Sequence, residues 1–457
     1  MLTENMKHTY SVCPICLKQI PAVRKEREGE IVLTKSCPEH GSFSGVIWRN
    51  RVDFAAWRGE AGSGQREDVP DCASCEGLCG SHLRGTCCTL LEVTDRCNMN
   101  CAVCFADPAG KADPDLETVK GWIDGLTEPG KTLLQLSGGE PTVREDLPEI
   151  VAYAKQAGCK YVQLNSNGLR LAEDEALAKR LAAAGLSFVF MQFDGVDDRV
   201  YETLRRRPML ELKKKAIENC NKHGIGVTLV PVIVPGVNGD QIGEIIRFAV
   251  RCSPAVRGVH FQPISYFGRI PAIPADSGRF TLDELMDEVV KQSGGLVRKQ
   301  SLAPSCCDHP MCGFHADFVV MPDQTLYALT GADSSRRETE AGQGCCFADP
   351  AEKNREFVAR RWEIREKQTK RESCCCGEPA AASSPAPHTA PEPDMTDMET
   401  FLNRVRSHGF TITSMAFQDA GNLDIERLRQ CSLHVYKEGK HIPFCAYYLS
   451  SWEGIGQ

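Results

Sequence analysis

The stretch CNMNCAVCF, Cys97–Phe105, places three cysteines within eight residues, directly after the strand-like run Thr89–Thr94. Three thiolates so close can hold three irons of a [4Fe–4S] cube. No fourth cysteine stands beside them, so one iron is left open to chelate a small molecule. A fully ligated cluster would mainly pass electrons. Taken alone, the spacing also allows a zinc site or chance clustering. Its place at the end of a strand argues against both.

Reading outward from Thr89, apolar β-rich runs recur at Thr132–Ser137, Tyr161–Asn165, Ser187–Phe193, Gly226–Val234 and Gly258–Pro263. Helix-like segments fall among or after them, at Asp115–Leu126, Arg144–Ala157, Glu173–Ala184, Arg199–His223, Gly239–Arg251 and Leu282–Gln292. Strands alternating with helices predict an α/β fold with a parallel sheet and crossover helices. In such folds the sites lie at the C-terminal ends of the strands. The second strand ends in Gly138-Gly139-Glu140-Pro141, where two glycines let the backbone approach a ligand and Glu140 can accept hydrogen bonds from an ammonium group. The third ends in Asn165-Ser166-Asn167-Gly168, the fourth in Gln192-Phe193-Asp194-Gly195 and the fifth in Val234-Pro235-Gly236-Val237.

This series of strand-end motifs resembles the radical S-adenosylmethionine (SAM) superfamily, whose core is a partial (β/α)6 TIM-like barrel. The resemblance implies that Cys97, Cys101 and Cys104 bind a [4Fe–4S] cluster, followed by Phe105, and that the open iron chelates SAM. It implies that Gly138, Gly139, Glu140 and Pro141 line the methionine amino group. Asn165, Ser166 and Asn167 look like the ribose-contacting turn. Gln192 and Asp194 are expected to face the cavity, and Val234–Val237 the adenine. CPICLKQIP, CPEHGSF, LEVTDRCNMNCAVCFA, QLSGGEPTVREDLPEI and the terminal DIERLRQCSLHVYKEGKHIPFCAYYLSS resemble one subgroup. That subgroup holds the tetraether lipid synthase-like enzymes, and the nearer likeness is to the radical SAM (seleno)protein TrsS family.

The chain has 24 cysteines and no apolar signal-peptide core, which predicts a cytoplasmic protein whose clustered thiols serve as metal ligands. Cys159, Cys220 and Cys252 stand alone and read as buried small hydrophobes. Residues 1–50 read as a zinc-ribbon or rubredoxin-like knuckle, with Cys13, Cys16, Cys37 and His40 spaced for Zn or a mononuclear Fe. In residues 51–88, Cys72, Cys75 and Cys79, with Cys88 or its neighbour Cys87, suit an auxiliary [4Fe–4S] cluster. The core is expected over 89–303. Beyond it lie a cysteine-containing extension with a charged helix (304–373), an Ala/Pro linker (374–394) opened by Cys374–Cys376, and a C-terminal hairpin unit (395–457). Cys307, Cys312, Cys431 and Cys445 are candidates for a further auxiliary cluster, giving one or two in all.

A net charge of −8 gives no reason to expect nucleic acid as a partner, and no apolar run is long enough to span a membrane. The resemblance implies reductive cleavage of SAM to a 5′-deoxyadenosyl radical that abstracts hydrogen from an unactivated carbon. It also implies an electron donor such as ferredoxin or flavodoxin. The substrate is read as a lipid, with carbon–carbon coupling of its alkyl groups, or as a peptide or small-molecule metabolite; a partner methyltransferase is a further candidate. The rival from another class is a non-catalytic metal-binding protein.

Overall fold

The computed structural model describes residues 7–59, 77–106, 112–270, 272–305, 307–330, 362 and 397–453. The first sheet is an antiparallel meander of β1 (His8–Val12), β2 (Gln19–Arg27), β3 (Glu30–Cys37) and β4 (Gly41–Trp48). Glu28 and Gly29 both hold positive φ, the backbone state a two-residue hairpin turn requires.

The second sheet is built on six parallel strands, in the order β5 (Cys88–Thr94), β6 (Leu133–Gly138), β7 (Tyr161–Ser166), β8 (Phe188–Gln192), β9 (Gly226–Val230) and β11 (Val256–Pro263). Every neighbouring pair among them is parallel. Between them run helices such as α2 (Leu116–Leu126), α3 (Leu147–Gln156) and α8 (Ile242–Arg251). Leu136, Leu164, Val189 and Val227 of the strands pack with Ile150, Leu181 and Ile245 of the helices to form the main core. This is the partial (β/α)6 barrel that the sequence predicts. Two elements break where Pro forbids continuation. The run Arg199–His223 forms α6 (Asp198–Arg205) and α7 (Leu210–Lys222), because Arg206 turns left-handed (φ 63°) ahead of Pro208. The run Gly226–Val234 stops at Pro231 and resumes as β10 (Val232–Ile233).

The sheet does not end with its sixth strand. β15 (Gly409–Ser414) lies parallel to β11, and β13 (Phe314–Val320) lies antiparallel to β15. The short strands β12 (Ala303–Pro304) and β14 (Leu326–Ala328) both pair antiparallel with β13. At the opposite edge β16 (Leu433–Lys437) pairs parallel with β5, and β17 (Lys440–Pro443) closes a hairpin. Glu438 and Gly439, both at positive φ, make its turn. The second strand of that hairpin stops at Pro443. Phe444–Tyr447 instead forms the one-turn helix α12, which carries Cys445. Segments on both sides of Ala303 thus share one sheet.

Of the charged helix expected in the 304–373 extension, only Trp362 is described; it is buried, and its Nε1 donates to Thr411 Oγ1 at 2.8 Å. The Ala/Pro linker, Cys374–Cys376, Cys72, Cys75 and Cys306 lie outside the described residues. No described helix is long and apolar enough to cross a membrane.

Candidate active site and metal centres

The loop after β5 carries Cys97, Cys101 and Cys104 into one large cavity of about 370 Å³ in the barrel. Main-chain bonds hold the loop on three sides. Gly139 N donates to Thr94 O (2.9 Å) and Glu140 N to Arg96 O (2.8 Å). Gly139 sits so tightly that an added Cβ would lie 2.2 Å from Arg96 O, which is why only glycine fits there. Cys104 forms a bridge with Arg269 (3.1 and 2.8 Å), and Ala102 N donates to Leu204 O (3.1 Å). Phe105 also lines the cavity, its ring 4.9 Å from Tyr448 and 5.8 Å from Phe444.

The donor set fits a cluster better than a single ion. Among the described residues, only Cys13, Cys16, Cys37 and His40 gather three or more ligating atoms within 4.8 Å of one another, as a mononuclear site needs. The three cysteines of the loop all line the cavity and do not gather that closely. Burial pushes the Cys97 thiol up to about 11, so ionisation there calls for a cation.

Glu140 is buried, and its carboxylate links two strand ends. Oε1 accepts from Thr142 N (3.1 Å), Thr142 Oγ1 (2.6 Å) and Ser166 Oγ (2.9 Å), and Oε2 accepts from Asn167 N (2.6 Å). Burial raises its pKa against those bonds. Pro141 is buried and does not line the cavity. Gly138, Gly139, Glu140, Asn165, Ser166, Asn167 and Gln192 all reach the cavity wall, and so does Val234 of the fifth strand end. Asp194 does not. It is fully buried behind the wall, where both oxygens take the Arg205 guanidinium at 2.7 and 2.8 Å. Arg205 is the residue of that pair that lines the cavity.

Sequence reasoning missed Lys213. It is fully buried, and its Nζ donates to Asn167 O (2.5 Å) and Gln192 Oε1 (3.2 Å), joining the ends of β7 and β8. Burial holds its ammonium down to about 7. A lysine at an interior position of an amphipathic helix was the available signal.

The remaining cysteines divide. Cys312, Cys431 and Cys445 surround a small cavity of about 20 Å³, with Asp308 and Arg427. Burial raises all three thiols, Cys445 to about 12. Cys307, expected with them, faces the main cavity instead, packed against Cys87 and donating to Asp308 Oδ2 at 3.3 Å. Cys88 packs with Leu133, Phe188 and Trp362, also on the main cavity. Cys79 is exposed.

The chain is similar to several known proteins. Residues 91–249 match the family model of the radical SAM superfamily, and residues 5–49 match that of an HMPTM N-terminal zinc ribbon domain. The chain is 32% identical to the 7,8-dihydro-6-hydroxymethylpterin dimethyltransferase of Methanocaldococcus jannaschii, over 96% of this chain and 93% of that protein. It is 34% identical to the Fe-coproporphyrin III synthase of Methanosarcina barkeri over 30% of this chain and 35% of that one. Among solved structures, SuiB of Streptococcus suis bound to S-adenosylmethionine aligns at a TM-score of 0.37 and 16% identity, covering 46% of this chain and 49% of that one.

Proposed function

The chain belongs to the radical SAM superfamily, in the family of the Methanocaldococcus jannaschii dimethyltransferase, and from that premise we propose that it forms a carbon–carbon bond at an unactivated carbon of a lipid alkyl group. It is an enzyme, so the metal-store alternative falls away. The observation that carries the lipid reading is the cavity wall beyond the cysteine loop. Leu90, Phe190, Val232, Ile264, Phe314 and Phe417 make it largely carbon. Its charged groups Glu140, Arg205 and Asp308 are already hydrogen-bonded within the protein. Each methylene buried there contributes about 0.8 kcal/mol. A charged substrate head would find those three groups engaged.

Cys97, Cys101 and Cys104 would hold a [4Fe–4S] cluster, which would supply the electron for reductive cleavage of SAM to methionine and a 5′-deoxyadenosyl radical. The protein's own residues orient and shield. The Gly138–Pro141 turn and Asn165–Asn167 are fixed to each other through Glu140, which presets the wall against which SAM lies. Gln192 is aimed by Lys213. The aromatic wall of Phe190 and Trp362, with ring centroids 4.5 Å apart, excludes water from a reactive carbon.

A second reading is methyl transfer to a pterin-like ring. The full-length likeness to the dimethyltransferase favours it, as do the amides of Gln135, Gln163, Asn165 and Gln262 on the cavity wall. The test starts with anaerobic, cluster-reconstituted protein and dithionite. 5′-Deoxyadenosine should form from SAM, and Cys97→Ala, Cys101→Ala or Cys104→Ala should each abolish it. Mass spectrometry then compares an alkyl lipid with 7,8-dihydro-6-hydroxymethylpterin. Loss of two hydrogens on coupling supports the lipid reading, whereas gain of CH2 units on the pterin alone replaces it.

A further inference from the structure

Two strands of the extended sheet, β11 and β15, bring unpaired polar groups to the cavity wall. His260 and Gln262, two residues apart on β11, share a face of the strand, and both line the cavity. His260 Nδ1 shares a hydrogen bond with Thr413 Oγ1 of β15 at 2.8 Å, and the two residues lie side by side in the sheet. His260 Nε2 has no hydrogen bond among the described residues, and neither has the side-chain amide of Gln262. Ser414 also lines the cavity; it is only 4% exposed, and its Oγ is buried without a partner among the described residues. Main-chain bonds fix all three positions: Gln262 N donates to Pro231 O (2.9 Å) and Met415 N to Phe261 O (3.0 Å). The Phe190 ring lies 5.4 Å from the His260 imidazole, so these groups adjoin the aromatic part of the wall. Other polar groups of the same wall are engaged within the protein, Glu140 with Ser166, Arg205 with Asp194 and Asp308 with Ser432.

We propose that His260 Nε2, the Gln262 amide and Ser414 Oγ form a subsite that selects substrates by a neutral hydroxyl or carbonyl group. The proposal rests on the lipid reading above and narrows it, to an alkyl lipid that carries such a group rather than a bare hydrocarbon or a charged head. A bare hydrocarbon laid over these atoms would strip their water and leave each unpaired, at about 1–3 kcal/mol apiece, more than one buried methylene returns. An anion would find the one cationic residue of this wall, Arg205, already spent on Asp194. A neutral group fits. Desolvation in the wall holds the His260 imidazole down to about 4, so it carries no charge at neutral pH. The Thr413 hydroxyl can give or take the Nδ1 hydrogen bond, so Nε2 can present either a lone pair or an N–H, and the Gln262 amide offers both. A pterin ring offers the same neutral edge chemistry, and the experiment separates the two sources.

The test uses the full-length, cluster-loaded protein with SAM, kept anaerobic. The probes are 1-octanol, octanoate and 7,8-dihydro-6-hydroxymethylpterin, titrated by saturation-transfer NMR into wild type, His260→Phe, Gln262→Leu and His260→Gln. Wild type should bind 1-octanol at least about tenfold more tightly than octanoate, which has the same chain length and a charged head. His260→Phe and Gln262→Leu should each weaken 1-octanol about tenfold. His260→Gln, which keeps a neutral hydrogen-bonding group at the end of the side chain, should regain most of that loss. SAM affinity by equilibrium dialysis should be equal in all four proteins. Equal 1-octanol affinity across the four overturns the proposal. So does octanoate bound as tightly as 1-octanol, or a loss of SAM affinity that matches the loss of probe. Wild type that binds neither 1-octanol nor the pterin overturns it as well. Binding of the pterin alone, weakened by His260→Phe and Gln262→Leu and restored by His260→Gln, keeps the subsite and removes the lipid reading instead.

Discussion

Tyr448 Oη donates to Glu92 Oε1 at 2.6 Å, and its neighbour Tyr447 donates to Glu92 Oε2 at 2.7 Å. Glu92 lies on the strand that runs into the cysteine loop, and Tyr448 also rests against Phe105 at the end of that loop. The C-terminal segment therefore braces the cysteine loop at both of its ends. Tyr448→Phe leaves a partly buried carboxylate short of a donor and should cost about 1.5–3 kcal/mol, as bonds to charged groups do. Urea denaturation of the loaded protein reads the loss. Glu92→Gln with Tyr448→Phe should cost less than the sum of the two single changes.

Lys213→Met removes the donor that ties Asn167 O to Gln192. SAM should bind about tenfold more weakly, or about 1.4 kcal/mol, by equilibrium dialysis. Iron and sulfide content should stay at the wild-type level, because the hydrogen bonds of Lys213 go to Asn167 and Gln192 rather than to the cysteine loop. Unaltered SAM affinity would show that the lysine only fills space.

Truncation after Asp394 removes β15 from between β11 and β13, and β16 from the edge of β5. Loss of one cluster's iron is then the smaller effect; the expected product is insoluble protein. The ligand role of the gathered thiols is better tested with Cys445→Ser in the full-length protein. It should lower iron by up to one cluster's worth while 5′-deoxyadenosine formation persists.

Glu426 gives the contact between knuckle and barrel a pH dependence. Burial opposes its ionisation, but His309, Arg24 and Arg58 around it hold its carboxyl down to about 2. A depressed carboxylate contributes stability above its unfolded value of about 4.5 and loses it as pH falls toward 2. That contribution is about 3 kcal/mol at most. Urea midpoints should fall between pH 5 and 3, and Glu426→Gln should flatten that slope. A slope the variant leaves intact would place the titration elsewhere.

What could be read from the sequence was local. Apolar β-rich runs marked the six parallel strands, because backbone conformation there depends on neighbouring residues. Cysteine spacing marked, for the same reason, a loop whose three cysteines line the cavity. What escaped was non-local. Gly409–Ser414 is a short β-branched run with nothing to say that it inserts beside residue 258. Asp194 looked like a cavity residue because it follows a strand; only the fold shows Arg205 reaching back to it. Glu140 seemed free to meet a ligand, whereas Ser166 and Asn167, far along the sequence, occupy much of it.

The pairing of Cys88–Leu90 with Leu433–Val435 bears on how the protein is made. As the polypeptide leaves the ribosome, β5 through β11 emerge with both outer edges unpaired, and the partners for those edges come last. Bare parallel strands are slow to pair and invite association with other molecules. The nascent barrel should therefore depend on chaperones until residue 435 is out. Metal delivery to Cys97, Cys101 and Cys104 should become lasting only once Tyr448 has closed on Phe105.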